Sequence, residues 1–266
     1  MTETMKDMVL LVTGAASGIG RAVAREAVAQ GVRRLFVTDR NQAGLAALAR
    51  DLDAGVQVEQ GVADLANPAA PSRVVAAARA AFGRVDSLVN AAGVTTRASF
   101  ADGTSEVFDS VFAVNARAPF LLMQEVIADM KARGAGGTIV NIQSINAHCG
   151  APDLAIYSAS KGALQTLTKN AAHAHLRDGI RVNGVNLGWV LTEVEHDMQA
   201  NILGGGEDWA ARAGARLPLG RLVSAQEAAR VTVHLLSPAS FPMTGVNVDL
   251  EQSVTGAPCE SVPPGT

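Results

Sequence analysis

Short apolar runs rich in β-branched residues alternate with longer alanine-rich runs along most of this 266-residue chain. The first pair shows the pattern: the strand-like run MVLLVTG (8–14) stops at a glycine, and IGRAVAREAVAQG (19–31) has helical spacing and ends at Gly31. Strands that alternate with helices in this way form parallel sheets, with right-handed crossovers that place helices on both faces. The sequence therefore predicts an α/β fold with a doubly wound parallel sheet.

Seven runs have the length of buried strands, and helical runs separate them. The predicted strands cover 8–14, 34–39, 56–64, 85–93, 138–144, 180–188 and 245–250. The predicted helices cover 19–31, 41–52, 68–82, 105–133, 156–176 and 224–236. We expect a mobile helical lobe at 191–215 and a loosely held, proline- and glycine-rich tail at 252–266. Because no linker or repeat interrupts the pattern, residues 1–266 are expected to form a single domain.

The composition supports a core and excludes some partners. Hydrophobic residues make up 48% of the chain and charged residues 18%, so wholesale disorder is not expected. A net charge of −3 gives no electrostatic reason to expect nucleic acid or an anionic membrane as a partner. The first apolar run is too short for a signal peptide, and no later segment is expected to span a bilayer. Cys149 and Cys259 have no partners at metal-ligand spacing, so we expect no metal and a reducing, cytoplasmic location.

Three glycines mark the junction between the first strand and the first helix. They are Gly14, Gly18 and Gly20 in TGAASGIGRA (13–22), where glycine lets backbone approach a pyrophosphate and the helix N-terminus offers free N–H groups to phosphates. Asp39 ends the second strand, where a carboxylate accepts hydrogen bonds from the adenine ribose and repels the 2′-phosphate of NADP. The pattern predicts a Rossmann dinucleotide site that favours NAD. The alternative for Asp39 is that it only caps the next helix.

Tyr157 and Lys161 lie four residues apart in AIYSASKGAL (155–164), so one face of a helix carries both side chains. By itself such a pair usually means a tyrosine at the edge of a core and a lysine in solvent. A free tyrosine has a pKa of about 10, too high for efficient proton transfer near neutrality, and an adjacent ammonium favours the phenolate. The functional interpretation is that Lys161 lowers the pKa of Tyr157, which serves as acid and base.

Five motifs in order identify the chain as similar to the short-chain dehydrogenase/reductase family. They are TGAASGIG (13–20), NAAG (90–93), Asn115, Ser144 and YSASK (157–161), and the resemblance extends from the first strand to about Asp249. It implies a single-domain Rossmann fold with a parallel seven-stranded sheet flanked by helices. It also implies catalysis by Asn115, Ser144, Tyr157 and Lys161, in which Ser144 holds the substrate oxygen and Asn115 binds a water that connects Lys161 to solvent.

The same resemblance assigns residues to the cofactor. Lys161 would hold the nicotinamide ribose, Asp64 would contact adenine, and the 90–93 turn would pass under the adenine ribose. The full predicted NAD-binding set is Gly14, Ser17, Gly18, Ile19, Gly20, Asp39, Arg40, Asp64, Asn90, Ala91, Gly93, Tyr157, Lys161, Val190 and Thr192. The chain departs from the family twice: Leu187-Gly188 replaces the usual Pro-Gly, and VDLEQ (248–252) lacks the usual glycine pair. The first departure weakens the assignment of Val190 and Thr192.

Substrate residues are expected in the loop after Ser144 and in the lobe. Their hydrogen-bonding side chains suit a substrate with several hydroxyls, and Glu193 and Glu195 would disfavour an acidic one. The alternative for each is a solvated loop residue. Cys149 is expected to be a small buried filler, and His173 and His175 to be surface or packing residues without a metal. The predicted substrate-binding set is Ser144, Asn146, His148, Leu154, Tyr157 and Trp189.

These observations predict an oxidoreductase that transfers a hydride between a secondary alcohol, such as a polyol or sugar, and NAD. One alternative is an NADPH-dependent ketoreductase of the 3-oxoacyl-carrier type, against which Asp39 argues. Another is a nucleotide-sensing protein without turnover, against which the complete catalytic set argues. The family resemblance further implies a homotetramer, formed through the two long helices at 105–133 and 156–176.

Overall fold

A parallel sheet of seven strands lies at the centre of the computed structural model, which describes residues 5–52 and 54–255. In chain order the strands are β1 (Val9–Thr13), β2 (Arg34–Asp39), β3 (Gln57–Val62), β4 (Ser87–Asn90), β5 (Gly137–Ser144), β6 (Ile180–Leu187), β7 (Val190–Leu191), β8 (Val223–Ser224) and β9 (Asn247–Leu250). The sheet has the order β3-β2-β1-β4-β5-β6-β9, and β7 and β8 pair with each other. The doubly wound parallel sheet predicted from the sequence is confirmed.

Helices cover both faces of the sheet, which explains the continuous apolar sequence of its central strands. All five residues of β1 are buried, whereas the edge strand β3 is largely exposed. The helices are α1 (Gly18–Ala29), α2 (Gln42–Asp51), α3 (Ala70–Phe82), α4 (Ser105–Phe112), α5 (Ala118–Arg133), α6 (Ala155–Ala174), α7 (Glu193–Asp197), α8 (Trp209–Gly214) and α9 (Ala225–Leu236). One core joins α1, α2 and α9 to one face, and a second joins α3 and α5 to the other.

The region predicted as one helix at 105–133 is divided by a π-helical turn, Ala113–Arg117, between α4 and α5. By length and composition alone this stretch is long and apolar enough to cross a membrane, so the expectation that no segment would reach that length was wrong. In the fold, more than half of its apolar window is buried, and α5 packs against α3 and the sheet. The stretch is therefore a core helix of this fold.

The predicted lobe contains α7, a π-helical turn at Met198–Ile202, and α8. Its own small core consists of Ala200, Trp209 and Leu222, and the ring of Trp209 lies 5.6 Å from that of Trp189. At the start of the predicted tail, the side chain of Gln252 accepts from the amide of Leu219. Residues 256–266, including Cys259, lie outside the described part of the chain.

Candidate active site

The predicted site residues gather at the carboxyl ends of the central strands. β1 pairs with β2 on one side and with β4 on the other, so the connections reverse direction between β1 and β4. In open parallel sheets this reversal opens a crevice beyond the strand ends, in which ligands bind. The glycine turn follows β1, the 91–95 segment follows β4, Ser144 ends β5, and the turn at 188–192 follows β6.

The glycine turn is closed by backbone contacts that admit no side chain. Gly14 has φ +65°, and a Cβ there would lie 2.7 Å from the Cα of Ala92. A Cβ on Gly20 would collide with the carbonyl oxygen of Gly14, so α1 begins directly against the strand end. Ser17 precedes α1 without a side-chain capping bond. The N–H groups of the first helical turn are therefore directed at the crevice, as a diphosphate site requires.

Thr13 joins this turn to the one after β4, a role that sequence reasoning missed. Its hydroxyl accepts hydrogen bonds from the amides of Ala91 and Ala92, each at 3.1 Å. Asn90 is turned away from the crevice, because its side chain donates to Asn141 at 2.8 Å in the core. The backbone of this turn, and not the side chain of Asn90, faces the predicted dinucleotide.

Asp39 supports the glycine turn from the second strand. Its carboxylate accepts from the amide of Ala16 at 3.1 Å and from that of Asn41 at 2.9 Å. It does not cap α2, since the side chain of Asn41 does so. Asp39 is half-buried, and Arg40 beside it is exposed. Asp64, predicted to contact adenine, is exposed, and its carboxylate accepts from the amide of Ala66 at 2.9 Å.

The glycine turn also contacts the lobe. A Cβ on Gly18 would lie 3.4 Å from the methyl group of Thr192. Arg21 donates to the carbonyl of Ala16 at 3.0 Å and pairs with Glu193 at 3.1 Å. Val190 is buried in the main core, and Ile19 packs against the same core. The predicted phosphate and carboxamide ends of the cofactor site are thus adjacent.

Helix α6 places Tyr157 and Lys161 one turn apart, with the Lys161 Nζ 5.7 Å from the centre of the tyrosine ring. Lys161 is buried, 5% exposed, and donates to the carbonyl of Ile142 in β5 at 2.9 Å. Ser144, two residues further along β5, lies close enough to the side chain of Tyr157 to act against the rise in its pKa. The structure therefore brings Ser144, Tyr157 and Lys161 together.

Asn115 lies fully buried in the π-helical turn. Its side chain accepts from the amide of Val94 and donates to the carbonyl of the same residue, both at 2.9 Å, and donates to Ser160 at 3.0 Å. A Cβ on Gly93 would lie 3.4 Å from the Asn115 oxygen and 3.5 Å from the Lys161 Nζ. π-Helical turns occur frequently at functional sites. Here the turn aims Asn115 at the backbone beside Lys161.

Comparison with known proteins agrees with this geometry. The family model described as short chain dehydrogenase matches residues 8–202. The chain belongs to this family.

Relatives and solved structures match over nearly the whole chain. An L-rhamnose 1-dehydrogenase (NAD(P)(+)) of Azotobacter vinelandii is 34% identical, over 91% of this chain and 94% of its own. A carbonyl reductase [NADPH] 2 of Sus scrofa is also 34% identical, over 90% and 92%. The structure of L-sorbose reductase from Gluconobacter frateurii, complexed with NADPH and L-sorbose, has a TM-score of 0.88 at 27% identity, over 97% and 100%. This chain is therefore an NAD(P)-dependent oxidoreductase of the short-chain dehydrogenase family.

The residues predicted to bind substrate in the loop after β5 of this short-chain dehydrogenase differ in their surroundings. Asn146 donates its amide to Ser144 at 3.2 Å. The Nε2 of His148 lies 3.3 Å from Asp249, at the end of β9, so this nitrogen is already engaged. Leu154 is buried just before α6. The exposed thiol of Cys149 contradicts the expectation that it would be a buried filler.

The lobe presents a carboxylate to the site. Glu195 accepts through Oε1 from the Trp189 indole at 2.8 Å and from Gln199 at 2.9 Å, and its Oε2 has no hydrogen bond to any described residue. Its charge acts on Tyr157, whose pKa it raises. Glu195 therefore stands within electrostatic reach of the Tyr157 hydroxyl.

Burial controls the protonation of the two central groups. It lowers the pKa of Lys161 from 10.5 to about 8, because the nearest acceptor is a neutral carbonyl. Burial also raises the pKa of Tyr157, while hydrogen bonds from Ser144 and Thr95 oppose this effect. In the chain by itself the pKa of Tyr157 is raised, because burial outweighs the groups that lower it, and the effect of Lys161 on this pKa stays a prediction. The side chains of Ser144 and Thr95 oppose the effect of burial on the pKa of Tyr157. Thr95 was not among the residues predicted from the sequence.

The depressed pKa of Lys161 predicts that this residue destabilises the fold. Between about pH 8 and pH 10.5 the unfolded chain binds more protons at this site than the folded one, so stability rises with pH in that window. Lys161→Met should raise the free energy of unfolding at neutral pH by about 2 kcal/mol, after loss of one hydrogen bond. The gain should shrink as pH rises through the window. Urea unfolding at several pH values measures it.

The matched control is Lys169→Met on the exposed side of α6. It should change the free energy of unfolding by less than about 0.5 kcal/mol at every pH. Equal behaviour of the two variants, or a destabilised Lys161→Met protein at neutral pH, would contradict the interpretation.

Proposed function

We propose that this protein is an NAD-dependent dehydrogenase of secondary alcohols, acting on a polyol, sugar or related hydroxy-compound. The observation that carries the proposal is the convergence of Ser144, Tyr157 and Lys161 at the strand ends, directly beside the closed glycine turn. A proton-transfer group and a dinucleotide site are thus adjacent. Oxidation of an alcohol needs both, because the carbon loses a hydride and the oxygen loses a proton.

The crevice fits a dinucleotide. The close contacts of Gly14 and Gly20 and the open N-terminus of α1 suit a diphosphate, and Thr192 contacts the same turn from the lobe. Asp39 and the backbone at 91–93 would hold the adenosine half, and Lys161 the nicotinamide ribose. When bound, the nicotinamide accepts a hydride from the alcohol carbon or returns it in the reverse reaction.

The chain's own residues would carry the proton. Ser144 donates to the substrate oxygen and stabilises the charge that develops there. Tyr157 removes the hydroxyl proton in oxidation and returns it in reduction. Lys161 holds its ammonium one turn behind the phenol, and Asn115 fixes the backbone of Val94, next to Gly93, which borders Lys161.

Asp39 supports the choice of NAD. Two amides already hold its carboxylate at the end of β2, so it is fixed where the adenine ribose would lie. A 2′-phosphate there would meet a rigid negative charge. Relatives named for NADPH show that the family also accommodates the phosphate, and in this chain the exposed Arg40 follows Asp39.

Glu195 supports the substrate class. A carboxylate with one oxygen held by Trp189 and the other free can accept hydrogen bonds from hydroxyl groups and repels anions. The names of relatives that act on L-rhamnose and L-xylulose agree with a substrate carrying several hydroxyls. A second candidate is reduction of a ketoacyl substrate, because the chain resembles the actinorhodin polyketide ketoreductase, with a TM-score of 0.87 at 32% identity.

We also propose a cytoplasmic homotetramer. Phe108 and Phe120, on α4 and α5, are each 45% exposed, and large exposed apolar side chains on neighbouring helices suit a surface between copies.

The function is tested by following NADH formation with a panel of polyols, sugars and simple secondary alcohols, each with NAD and with NADP. We expect turnover with a polyol or sugar and NAD. Tyr157→Phe should lower kcat by at least about 100-fold and leave NAD binding nearly unchanged, because only the proton-transfer hydroxyl is removed. Reduction of a ketoacyl substrate without oxidation of any alcohol would support the second candidate instead. NAD binding with no turnover of any kind would favour a sensing protein.

Asp39→Ala should reduce the preference for NAD over NADP by at least about tenfold, because the charge that repels a 2′-phosphate is removed. The measurement is the ratio of kcat/KM for the two cofactors. Asp64→Ala, which removes an exposed carboxylate from the neighbouring strand end, is the control and should leave the ratio unchanged. An unchanged ratio in Asp39→Ala would assign the discrimination to another residue.

Glu195→Gln should change substrate preference without removing turnover. The amide keeps an oxygen for Trp189 but loses the charge, so kcat/KM for a hydroxy acid should rise relative to that for the matching neutral polyol. Glu193→Gln, which alters the partner of Arg21, is the control. If both variants changed the ratio equally, the charge of the lobe as a whole, and not Glu195, would set the preference.

A further inference from the structure

An ion pair attaches the lobe to the helix that follows the glycine turn. Arg21 lies in the first turn of α1, and its Nη1 is 3.1 Å from Oε1 and 3.3 Å from Oε2 of Glu193. Glu193 is the first residue of α7. The pair therefore connects the start of the lobe to the start of the helix at which a dinucleotide is expected to bind.

The glycine turn fixes the arginine of this pair. The Nε of Arg21 donates to the carbonyl of Ala16 at 3.0 Å, and its Nη2 donates to the same oxygen. Because the guanidinium is a rigid planar fork, these two bonds also set the direction of Nη1. The side chain of Arg21 is 22% exposed and that of Glu193 is 70% exposed. The arginine is thus the fixed partner, and the carboxylate belongs to the element that can move.

The residue before Glu193 lies against the glycine turn itself. A Cβ on Gly18 would be 3.4 Å from the methyl group of Thr192. The hydroxyl of Thr192 accepts from the amide of Glu195 at 3.1 Å, so this residue also begins α7. A diphosphate bound to the free N–H groups at the start of α1 would lie beside Thr192. Entry and release of a dinucleotide therefore involve the contact between α7 and the turn.

The other charged side chains of α7 do not contribute to this attachment. The hydrogen bonds that the structure describes for Glu195, His196 and Asp197 all go to residues within 189–209. Glu193 is the one described side chain of α7 that forms an ion pair with α1. The ion pair is therefore the specific electrostatic connection between this helix and the glycine turn.

We propose that the Arg21–Glu193 ion pair is a latch, which holds Thr192 and α7 against the glycine turn and so limits the rates at which the dinucleotide enters and leaves. This proposal rests on the proposed function, in which the dinucleotide binds at this turn. Both partners belong to the protein, so the latch stabilises the closed lobe with or without the dinucleotide. Its loss should speed entry and release alike and change the dissociation constant little. Arg21 is a positioning residue in this scheme, because it acts through Glu193.

The test follows the fluorescence of NADH in stopped-flow binding and release. Glu193→Ala and Arg21→Met should each raise the association and dissociation rate constants by about threefold, the scale expected of one partly exposed ion pair. The double variant should be no faster than either single variant, because both remove the same interaction. Added salt should speed release less in the double variant than in wild type, since the screened pair is already absent.

The sign of the change in affinity separates a latch from a simple effect of charge on an anionic ligand. A charge effect would tighten NADH binding in Glu193→Ala and weaken it in Arg21→Met. Such opposite changes in the dissociation constant, or wild-type rates in Glu193→Ala, would overturn the proposal. Glu193→Ala decides the matter if Arg21→Met does not fold, because Glu193 is exposed and its loss leaves the bonds of Ala16 intact.

The matched control is Arg25→Met. Arg25 is the next arginine of α1 and pairs with Asp51 of α2 at 2.6 Å, so its loss breaks an ion pair of the same helix that does not involve the lobe. Its NADH rates should equal those of wild type. An equal acceleration in Arg25→Met would overturn the latch, because a general loosening of α1 would then explain the result.

Hydrogen exchange gives a measurement that needs no cofactor and no turnover. The backbone amides of residues 193–203 should exchange faster in Glu193→Ala than in wild type, and those of α9 should not change. Unchanged exchange at 193–203 would overturn the latch.

The same experiments separate the latch from the proposed function. Faster NADH rates in the variants of a protein that oxidises no alcohol would retain the latch and overturn the proposed reaction. Alcohol oxidation with unchanged NADH rates would overturn the latch alone. Binding of neither NADH nor NADPH would overturn both.

Discussion

The contact between the turns that follow β1 and β4 determines the arrangement of the whole site. Thr13 holds the amides of Ala91 and Ala92, and Gly14 packs against the second of these with no room for a side chain. The next residues continue the series, since Gly93 borders Lys161 and Val94 is held by Asn115. One short segment of backbone thus connects the predicted dinucleotide crevice to the predicted proton-transfer group.

In the chain by itself, the electrostatic environment of the site disfavours the charged forms of Tyr157 and Lys161. Burial favours a neutral Lys161 and a neutral Tyr157, and the carboxylate of Glu195 adds to the second effect. Neutral dipoles oppose the effect of burial on the pKa of Tyr157, and they introduce no further charge that would itself need a partner. Hydroxyl groups are well suited to this site, because a hydroxyl carries no desolvation penalty comparable with that of an ion.

The sequence predicted the sheet well, because buried parallel strands are continuous apolar runs that end at glycine or polar turns. It placed β2 correctly at both ends but extended β4 to residue 93, since small turn residues resemble a strand end. The division of the long helix was missed because a π-helical turn changes the hydrogen bonding of the backbone without altering the apolar pattern. Strands β7 and β8 have two residues each, too few for any periodicity.

The four-residue spacing of Tyr157 and Lys161 predicted that pair, and a sequence motif predicted the glycine turn. Thr13, Thr95 and Ser160 were missed because a hydroxyl in a turn or on a helix has no characteristic spacing. Their partners are distant in sequence. The direction in which burial shifts a pKa was also missed, because it depends on how deeply the fold encloses Lys161 and Tyr157, and composition does not report that depth.

The two departures from the family pattern meet in space. The amide of Gly188 donates to the carbonyl of Leu250 at 2.9 Å, and a Cβ at position 188 would collide with the carboxylate of Glu251. Residues far apart in the chain therefore share one small volume next to Trp189 and Val190. A side chain acquired at 188 would displace the flexible carboxylate of Glu251, whereas a shorter residue at 251 would leave this volume open. The two positions therefore share one space, and a change at either alters the room available to the other.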